Sequence, residues 1–290
     1  MLFEHLLEPG DRVVVEQPTY DRTLLLLQRA GVELVPVPLE ADGLDVSALE
    51  AALSSEPVKL AHVIPNFHNP AGCTLSAEKR ARVVELAAEH GFWVFEDDPY
   101  RELSFEGKAL ETMLSLDRAG RVIHASSFSK TVSPGVRVGY LAGPAEEIAK
   151  LAKRANETYI SPNMLAEAVV LELCRSGALY RNIEFVKGAL RDRRDALVEA
   201  LSEQLPEAEF VVPGGGYFLW LDLAEGTDTT ALLAEAKSEG VTFVAGPDFM
   251  LEDGENSLRL SFAPVRPEQI AKGVSRIART LDRVRAGSPA

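Results

Sequence analysis

The sequence predicts an α/β fold with a mostly parallel sheet covered by helices on both faces, and three observations carry that prediction. Apolar runs of strand length alternate with helix-length amphipathic segments from residue 12 to residue 142. Several runs are apolar almost without interruption, as in Phe92-Trp93-Val94-Phe95, the pattern of strands buried on both faces. Polar residues gather where the runs end, at 16–20, 66–72, 97–100 and 126–130, the carboxyl edge at which such sheets hold ligands.

Taken in order, residues 1–7 read as the back half of an amphipathic helix closed by Pro9-Gly10. A short buried strand follows at 12–16, then a turn at Gln17-Pro18-Thr19-Tyr20, a helix at 21–30 stopped by Gly31, and a strand at 32–37. Asp42-Gly43-Leu44-Asp45 is a turn into a helix at 46–53, and a third strand at 58–64 runs into Pro65. Ser76 caps a helix over 77–90 that Gly91 breaks, and the strand at 92–95 ends in Glu96-Asp97-Asp98. Strands at 121–126 and 136–142 flank Ser127-Phe128-Ser129-Lys130.

After Pro144 the pattern turns helical, with helices at 145–154, 163–174 and 178–205. Strands return at 209–212, 217–222, 241–244 and 257–263, with helices at 229–237 and 267–283 and a loose tail at 285–290. These changes place a boundary near Tyr180: a larger domain over 1–179 and a smaller α/β domain over 180–290, its sheet antiparallel.

A chain of 290 residues with 46% hydrophobic content can bury a large core and suits two domains. Its formal charge of −14 disfavours nucleic acid and anionic membranes as default partners. No apolar run approaches the roughly 20 residues that span a bilayer, and the start has no basic segment of the signal-peptide kind. Cys73 and Cys174 offer neither a disulfide framework nor zinc-type spacing. The expectation is a soluble, cytoplasmic protein in a reducing compartment.

The polar clusters carry chemistry. At Ser126-Ser127-Phe128-Ser129-Lys130, with Arg137 beyond, a strand delivers hydroxyl donors and an amine able to form a Schiff base; the alternative is a solvated loop lysine. Asn69-Pro70-Ala71-Gly72 by itself is a tight turn. Asp97, fed from an apolar strand and followed by Tyr100, can hold a proton on a partner nitrogen in a partly desolvated site. Asp98 beside it suggests a metal pair, but no histidine has ligand spacing, and His62 and His68 read as structural. Gly214-Gly215-Gly216 is a turn into a strand, because no helix start or Lys-Ser/Thr follows. Arg259, within Leu258-Arg259-Leu260-Ser261-Phe262, sits on a half-buried strand and needs an anionic partner: a ligand carboxylate or an internal salt bridge.

The ordered set Pro18-Thr19-Tyr20, Asn69-Pro70-Ala71-Gly72, Asp97-Asp98-Pro99-Tyr100, Ser127-Phe128-Ser129-Lys130, Arg137-Val138-Gly139 and Leu258-Arg259-Leu260-Ser261-Phe262-Ala263 resembles the class I/II pyridoxal-phosphate aminotransferases. The nearest branch is the one with aminoadipate, aromatic and multisubstrate transaminases and the aminotransferase-like domains of MocR-type regulators. The resemblance covers essentially the whole chain. It implies a fold-type I large domain with a mostly parallel sheet of the seven-stranded type, and pyridoxal 5′-phosphate as cofactor. It also implies a homodimer.

By the same resemblance Lys130 would hold the cofactor as a Schiff base and move the substrate proton. Asp97 would pair with the pyridine nitrogen, and Asn69 and Tyr100 would bond the ring oxygen. Tyr20 would stack on the ring; Ser127, Ser129 and Arg137 would bind the phosphate. Arg259 would clamp the substrate carboxylate. Phe67, Tyr217 and Phe218 would line an aromatic-tolerant pocket or belong to the core. The activity implied is transfer of an amino group from an L-amino acid to a 2-oxo acid such as 2-oxoglutarate. Relatives carry a further N-terminal segment with a phosphate-gripping turn at a helix start, so the sequence reads as N-terminally truncated. A non-catalytic cofactor- or amino-acid-binding regulatory domain, an inactive fragment, and a lyase or decarboxylase of the same fold are the alternatives.

Overall fold

The computed structural model describes residues 1–107 and 110–287, and the last residues of the expected tail, 288–290, lie outside the described part. Its first half contains α1 (Leu2–Leu6), β1 (Arg12–Gln17), α2 (Asp21–Arg29), β2 (Glu33–Glu40), β3 (Gly43–Leu44), α3 (Val46–Ser55), β4 (Leu60–Val63) and α4 (Ala77–His90). It continues through β5 (Trp93–Asp97), α5 (Met113–Leu116), β6 (Val122–Ser127) and β7 (Gly139–Ala142). The strands form one sheet in the order β3-β2-β1-β4-β5-β6-β7. The five from β2 to β6 run parallel, and the edge strands β3 and β7 are antiparallel to their neighbours.

Alternation along β1 shows why both faces are covered. Val14 packs with Leu49, Leu53, Val83 and Leu86 on one face, while Val13 and Val15 pack with Leu24 and Leu27 on the other. Each such buried aliphatic side chain contributes about 1.5–3 kcal/mol relative to exposure. The helices that cover the sheet are punctuated as the sequence predicts. Asp45 accepts from Ala48 N at 3.1 Å. Ser76 accepts from Lys79 N at 3.5 Å, and Gly91 closes α4 in the left-handed region at φ 76°.

The second half holds α6 (Ala145–Tyr159), α7 (Met164–Arg175), α8 (Ala178–Gln204), β8 (Phe218–Asp222), α9 (Thr229–Ser238), β9 (Val244–Ala245), β10 (Ser257–Ser261) and α10 (Pro267–Gly287). Here β8, β10 and β9 form an antiparallel sheet in that order. Leu190, Leu197 and Leu201 of α8 and Ile270, Val274 and Ile277 of α10 pack on its Leu219, Leu221, Leu258 and Leu260. The same core takes in Phe67, Tyr100, Leu103 and Phe105 from the first half.

Several local expectations are corrected, among them the strand at 241–244, which is only Val244–Ala245. The turn at 42–45 contains β3, which extends the sheet edge. The strand expected at 136–142 starts only at Gly139, and α5 was not foreseen. Residues 209–212 are not a strand, apart from a single bridge from Glu209 to Asp222. The chain beyond is drawn away: Arg194 Nη1 donates to Pro213 O at 2.7 Å and Phe105 N donates to Gly214 O at 2.9 Å. The glycines that follow are there for closeness. A Cβ at Gly215 would meet the Phe67 ring at 2.6 Å and collide with Leu103 O.

Candidate active site

The carboxyl ends of β1, β4, β5 and β6 lie side by side in the sheet, so the predicted residues arrive at one edge. Tyr20 follows β1 at the start of α2; Asn69 is on the loop after β4; Asp97 ends β5, with Tyr100 beyond; Ser127 ends β6, with Ser129, Lys130 and Arg137 following. Arg259 enters from β10, the central strand of the second sheet.

Strand alternation separates the three acidic residues at the end of β5. Glu96 and Asp98 are fully buried and Asp97 is half-buried. Glu96 accepts from Met113 N at 2.8 Å and Leu114 N at 3.1 Å and meets His124 Nδ1 at 3.0 Å. Asp98 accepts from Asn66 Nδ2 at 2.9 Å on both oxygens, and burial pushes its carboxyl up to about 6. Glu96, Asp98 and His124 could together approach a cation, but they are bonded by protein groups as a structural tie. Asp97 is the carboxylate that faces the site. Its Oδ2 lies 3.5 Å from His62 Nε2, which is also 3.4 Å from Thr23 Oγ1.

Lys130 has no hydrogen-bonded partner for its amine among the described residues. Its Nζ stands 5.3 Å from the Tyr217 ring and 5.7 Å from the Tyr100 ring. Burial, then the nearby Arg137 and Arg259, lower its pKa, against an opposing pull from Asp97. Burial and then Asp97 push the Tyr100 phenol up. Tyr217 OH donates to Lys130 O at 3.0 Å, so a residue of the second half fixes the lysine's backbone.

Ser127, Ser129 and Arg137 are drawn together. Arg137 Nη1 donates to Ser129 Oγ at 3.2 Å, and Ser129 N donates to Ser127 Oγ at 3.1 Å. Arg137 takes φ 50°, a left-handed conformation unusual for a side chain of this size. Gly139 two residues on is required, because a Cβ there would stand 2.9 Å from Ser126 O.

Arg259 is not in an internal salt bridge among the described residues. Its Nη1 donates to Asn69 Oδ1 at 2.7 Å, its guanidinium carbon lies 4.1 Å from the Phe218 ring centre and 4.7 Å from that of Phe249, and its Nε is buried without a partner. Two guanidiniums without carboxylate partners among the described residues, both close enough to the lysine amine to lower its pKa, form a cradle for a ligand with two anionic groups. A phosphorylated aldehyde joined to an amino acid is such a ligand, and the residues present fit it.

All nine predicted residues are therefore brought together at one sheet edge. His62 and Thr23 were not assigned to it from the sequence, and Tyr217, expected to line a pocket or belong to the core, holds the Lys130 carbonyl. For His62 a signal existed: it pairs in register with Phe95 on β5, two residues before Asp97 and on the same face.

An amine-bearing strand end, a facing carboxylate and a phosphate-type cradle on one edge of this sheet have the chemistry that a pyridoxal-phosphate site of fold type I requires. The family model for aminotransferase class I and II matches residues 1–277. Aromatic-amino-acid aminotransferase 1 of Thermococcus litoralis is 35% identical over 282 residues, covering 95% of this chain and 68% of that protein. The 2-aminoadipate transaminase of Thermus thermophilus is 36% identical over 280 residues, 95% of this chain and 70% of the relative. The crystal structure of α-aminoadipate aminotransferase from Thermus thermophilus, complexed with N-(5′-phosphopyridoxyl)-L-leucine, matches with a TM-score of 0.94 at 34% identity, over 98% of this chain and 74% of that one. The chain belongs to the aminotransferase class I and II family, and its cofactor is pyridoxal 5′-phosphate. Among the described residues no helix is long and apolar enough to cross a membrane.

Proposed function

We propose that the chain transfers the amino group of an L-amino acid to a 2-oxo acid such as 2-oxoglutarate, with Lys130 as the residue that holds the cofactor. The observation that carries this reading is the placing of Lys130, its pKa lowered, close to both Arg137 and Arg259, neither of which has a carboxylate partner among the described residues. One cation suits a phosphate and the other an α-carboxylate.

Bound pyridoxal phosphate supplies an aldehyde and an electron-poor ring that accepts the electron pair left when the substrate Cα–H bond breaks. The chain's own groups do the rest. Asp97 holds a proton on the ring nitrogen, and His62 and Thr23 orient that carboxylate. Tyr20 covers the ring face. Asn69 offers its amide N–H, because its oxygen is taken by Arg259, and Tyr100 offers its phenol. Ser127, Ser129 and Arg137 bind the phosphate. Arg259 would take the α-carboxylate, and the Lys130 amine, its pKa lowered, would take the proton from Cα and deliver it to the carbon of the cofactor's aldehyde.

The same reading divides the chain at 179/180 into a cofactor domain and a small domain, and takes a homodimer in the cytoplasm as the working form. The purified protein with pyridoxal phosphate is expected to show a visible absorption band that Lys130→Ala lacks. It is then expected to convert 2-oxoglutarate to glutamate with at least one donor from an amino-acid panel. A band without transfer from any donor would favour the non-catalytic binding domain; no band would end the assignment of Lys130.

A further inference from the structure

Beneath the loop that carries Asn69 lie two buried residues with no part in the reading above, Glu16 at 1% and His68 at 0% exposure. Glu16 Oε2 accepts from Ile64 N at 2.8 Å and meets His68 Nε2 at 3.0 Å. Across the imidazole, Ala71 N donates to His68 Nδ1 at 3.2 Å. A backbone N–H can only donate, so Nδ1 presents a lone pair and the ring proton sits on Nε2, directed at Glu16. His68 is thus a neutral ring held at both nitrogens.

We propose that His68 is a positioning residue: pinned between Glu16 and the Ala71 amide, it sets the course of the loop so that Asn69 Oδ1 meets Arg259 Nη1. This rests on the reading of Arg259 as the carboxylate clamp. The backbone around the ring adds to the lock, with His68 N donating to Cys73 O at 2.9 Å and Gly72 N donating to His68 O at 2.7 Å. Phe67, next in the chain, stands at φ 48°.

The second half of the chain presses on both flanks of this loop. A Cβ at Gly72 would stand 3.1 Å from Phe218 O and 3.2 Å from Pro213 Cβ, and one at Gly216 would stand 2.7 Å from Phe67 Cβ. A loop packed this closely does not shift alone. Loss of the imidazole moves Asn69 Oδ1 off the guanidinium and disturbs Phe218, whose ring lies under it. A merely structural histidine would lower stability and leave the clamp's geometry intact.

Two measurements test this. In protein labelled with 15N-histidine, His68 is expected to give a protonated Nε2 and a bare Nδ1; a proton on Nδ1 would overturn the proposal whatever the variants do. Calorimetric titration of the pyridoxal-phosphate-loaded protein with 3-phenylpropionate supplies the second readout. His68→Ala and Asn69→Ala are each expected to weaken binding roughly tenfold, as loss of an orienting partner does. The double variant is expected to be no weaker than the worse single one. Losses that multiply, or no loss in His68→Ala while Arg259→Ala abolishes binding, would overturn it. If Arg259→Ala binds like the wild type, the clamp reading is what fails, and the Asn69 side-chain amide resonance decides the rest. Its displacement in His68→Ala supports positioning, and an unmoved resonance refutes it.

Discussion

Arg259 Nη1 donates to Asn69 Oδ1 over 2.7 Å, joining residues 190 positions apart in the chain. The bond decides the orientation of the Asn69 amide, since Oδ1 must face the guanidinium and Nδ2 is left to face the site. It also links the large sheet's edge to the small sheet through two of the proposed ligand-binding groups. In the proposed function the cofactor contact of Asn69 and the substrate contact of Arg259 would share this one hydrogen bond, which makes the electrostatics of the cradle testable residue by residue.

The Lys130 amine is depressed by burial and by Arg137 and Arg259, and raised by Asp97. A depressed amine is neutral, and so nucleophilic, at lower pH. Reductive trapping of phosphate-free pyridoxal on Lys130 is expected to have a pH midpoint below that of an ordinary lysine. Arg137→Gln should move that midpoint up and Asp97→Asn should move it down, with no trapping at this position in Lys130→Ala. Movement of both variants in the same direction would contradict the assigned causes.

Asp98 yields a stability prediction of definite sign. Burial raises its carboxyl from an ordinary value of 3.8 to about 6, against the bonds from Asn66 and with help from Glu96. Between these values the folded chain holds a proton that the unfolded chain has lost, so stability falls as pH rises through the window and the contribution is gone above it. Across that window the wild type is expected to lose on the order of 2–3 kcal/mol relative to Asp98→Asn. Urea midpoints of both proteins at the two ends of the window check this, and parallel pH profiles would count against it.

Two glycines should respond oppositely to the same change. Gly215→Ala forces a methyl into the Phe67 ring and Leu103 O, and the overpacking is expected to cost on the order of 3 kcal/mol. Gly273, inside α10, has nothing within 4 Å of its would-be Cβ, and Gly273→Ala is expected to stabilise by about 0.5–1 kcal/mol. Thermal melts of the two variants give the comparison directly.

What the sequence made legible follows from the range of the signals involved. Val13 to Val15 and Trp93 to Phe95 announce buried strands locally, and the residues that end those strands inherit a shared edge from the parallel topology. Eight of the nine predicted site residues lie at or just beyond such ends, and Arg259 reaches the same edge from β10. Gly43-Leu44 gave no signal as β3 because two residues carry no period, and only the partner Leu39-Glu40 makes them a strand. Phe210-Val211-Val212 has the composition of a strand but is out of reach of one, since Arg194 and Phe105 hold the next two carbonyls. His62 and the Tyr217 bond to Lys130 were not legible for the same reason: one acts through register with a neighbouring strand, the other across 87 residues of chain.

The proposed clamp would distinguish arginine from any other cation. The Arg259 guanidinium lies near the rings of Phe218 and Phe249, has one nitrogen committed to Asn69, and keeps a buried Nε without a partner. A lysine ammonium cannot stack as a plane, hold Asn69 and offer two parallel bonds to a carboxylate at once. Arg259→Lys is therefore expected to raise KM for the amino donor roughly 100-fold, with a smaller fall in kcat, about 3 kcal/mol in kcat/KM. The loss must depend on the substrate carboxylate. A primary amine with the same side chain and no carboxylate should be used poorly by both proteins and equally so, as measured by the decay of the visible band in single turnovers. An equal penalty on the amine would show that Arg259 supports the fold of the cradle and does not read the carboxylate.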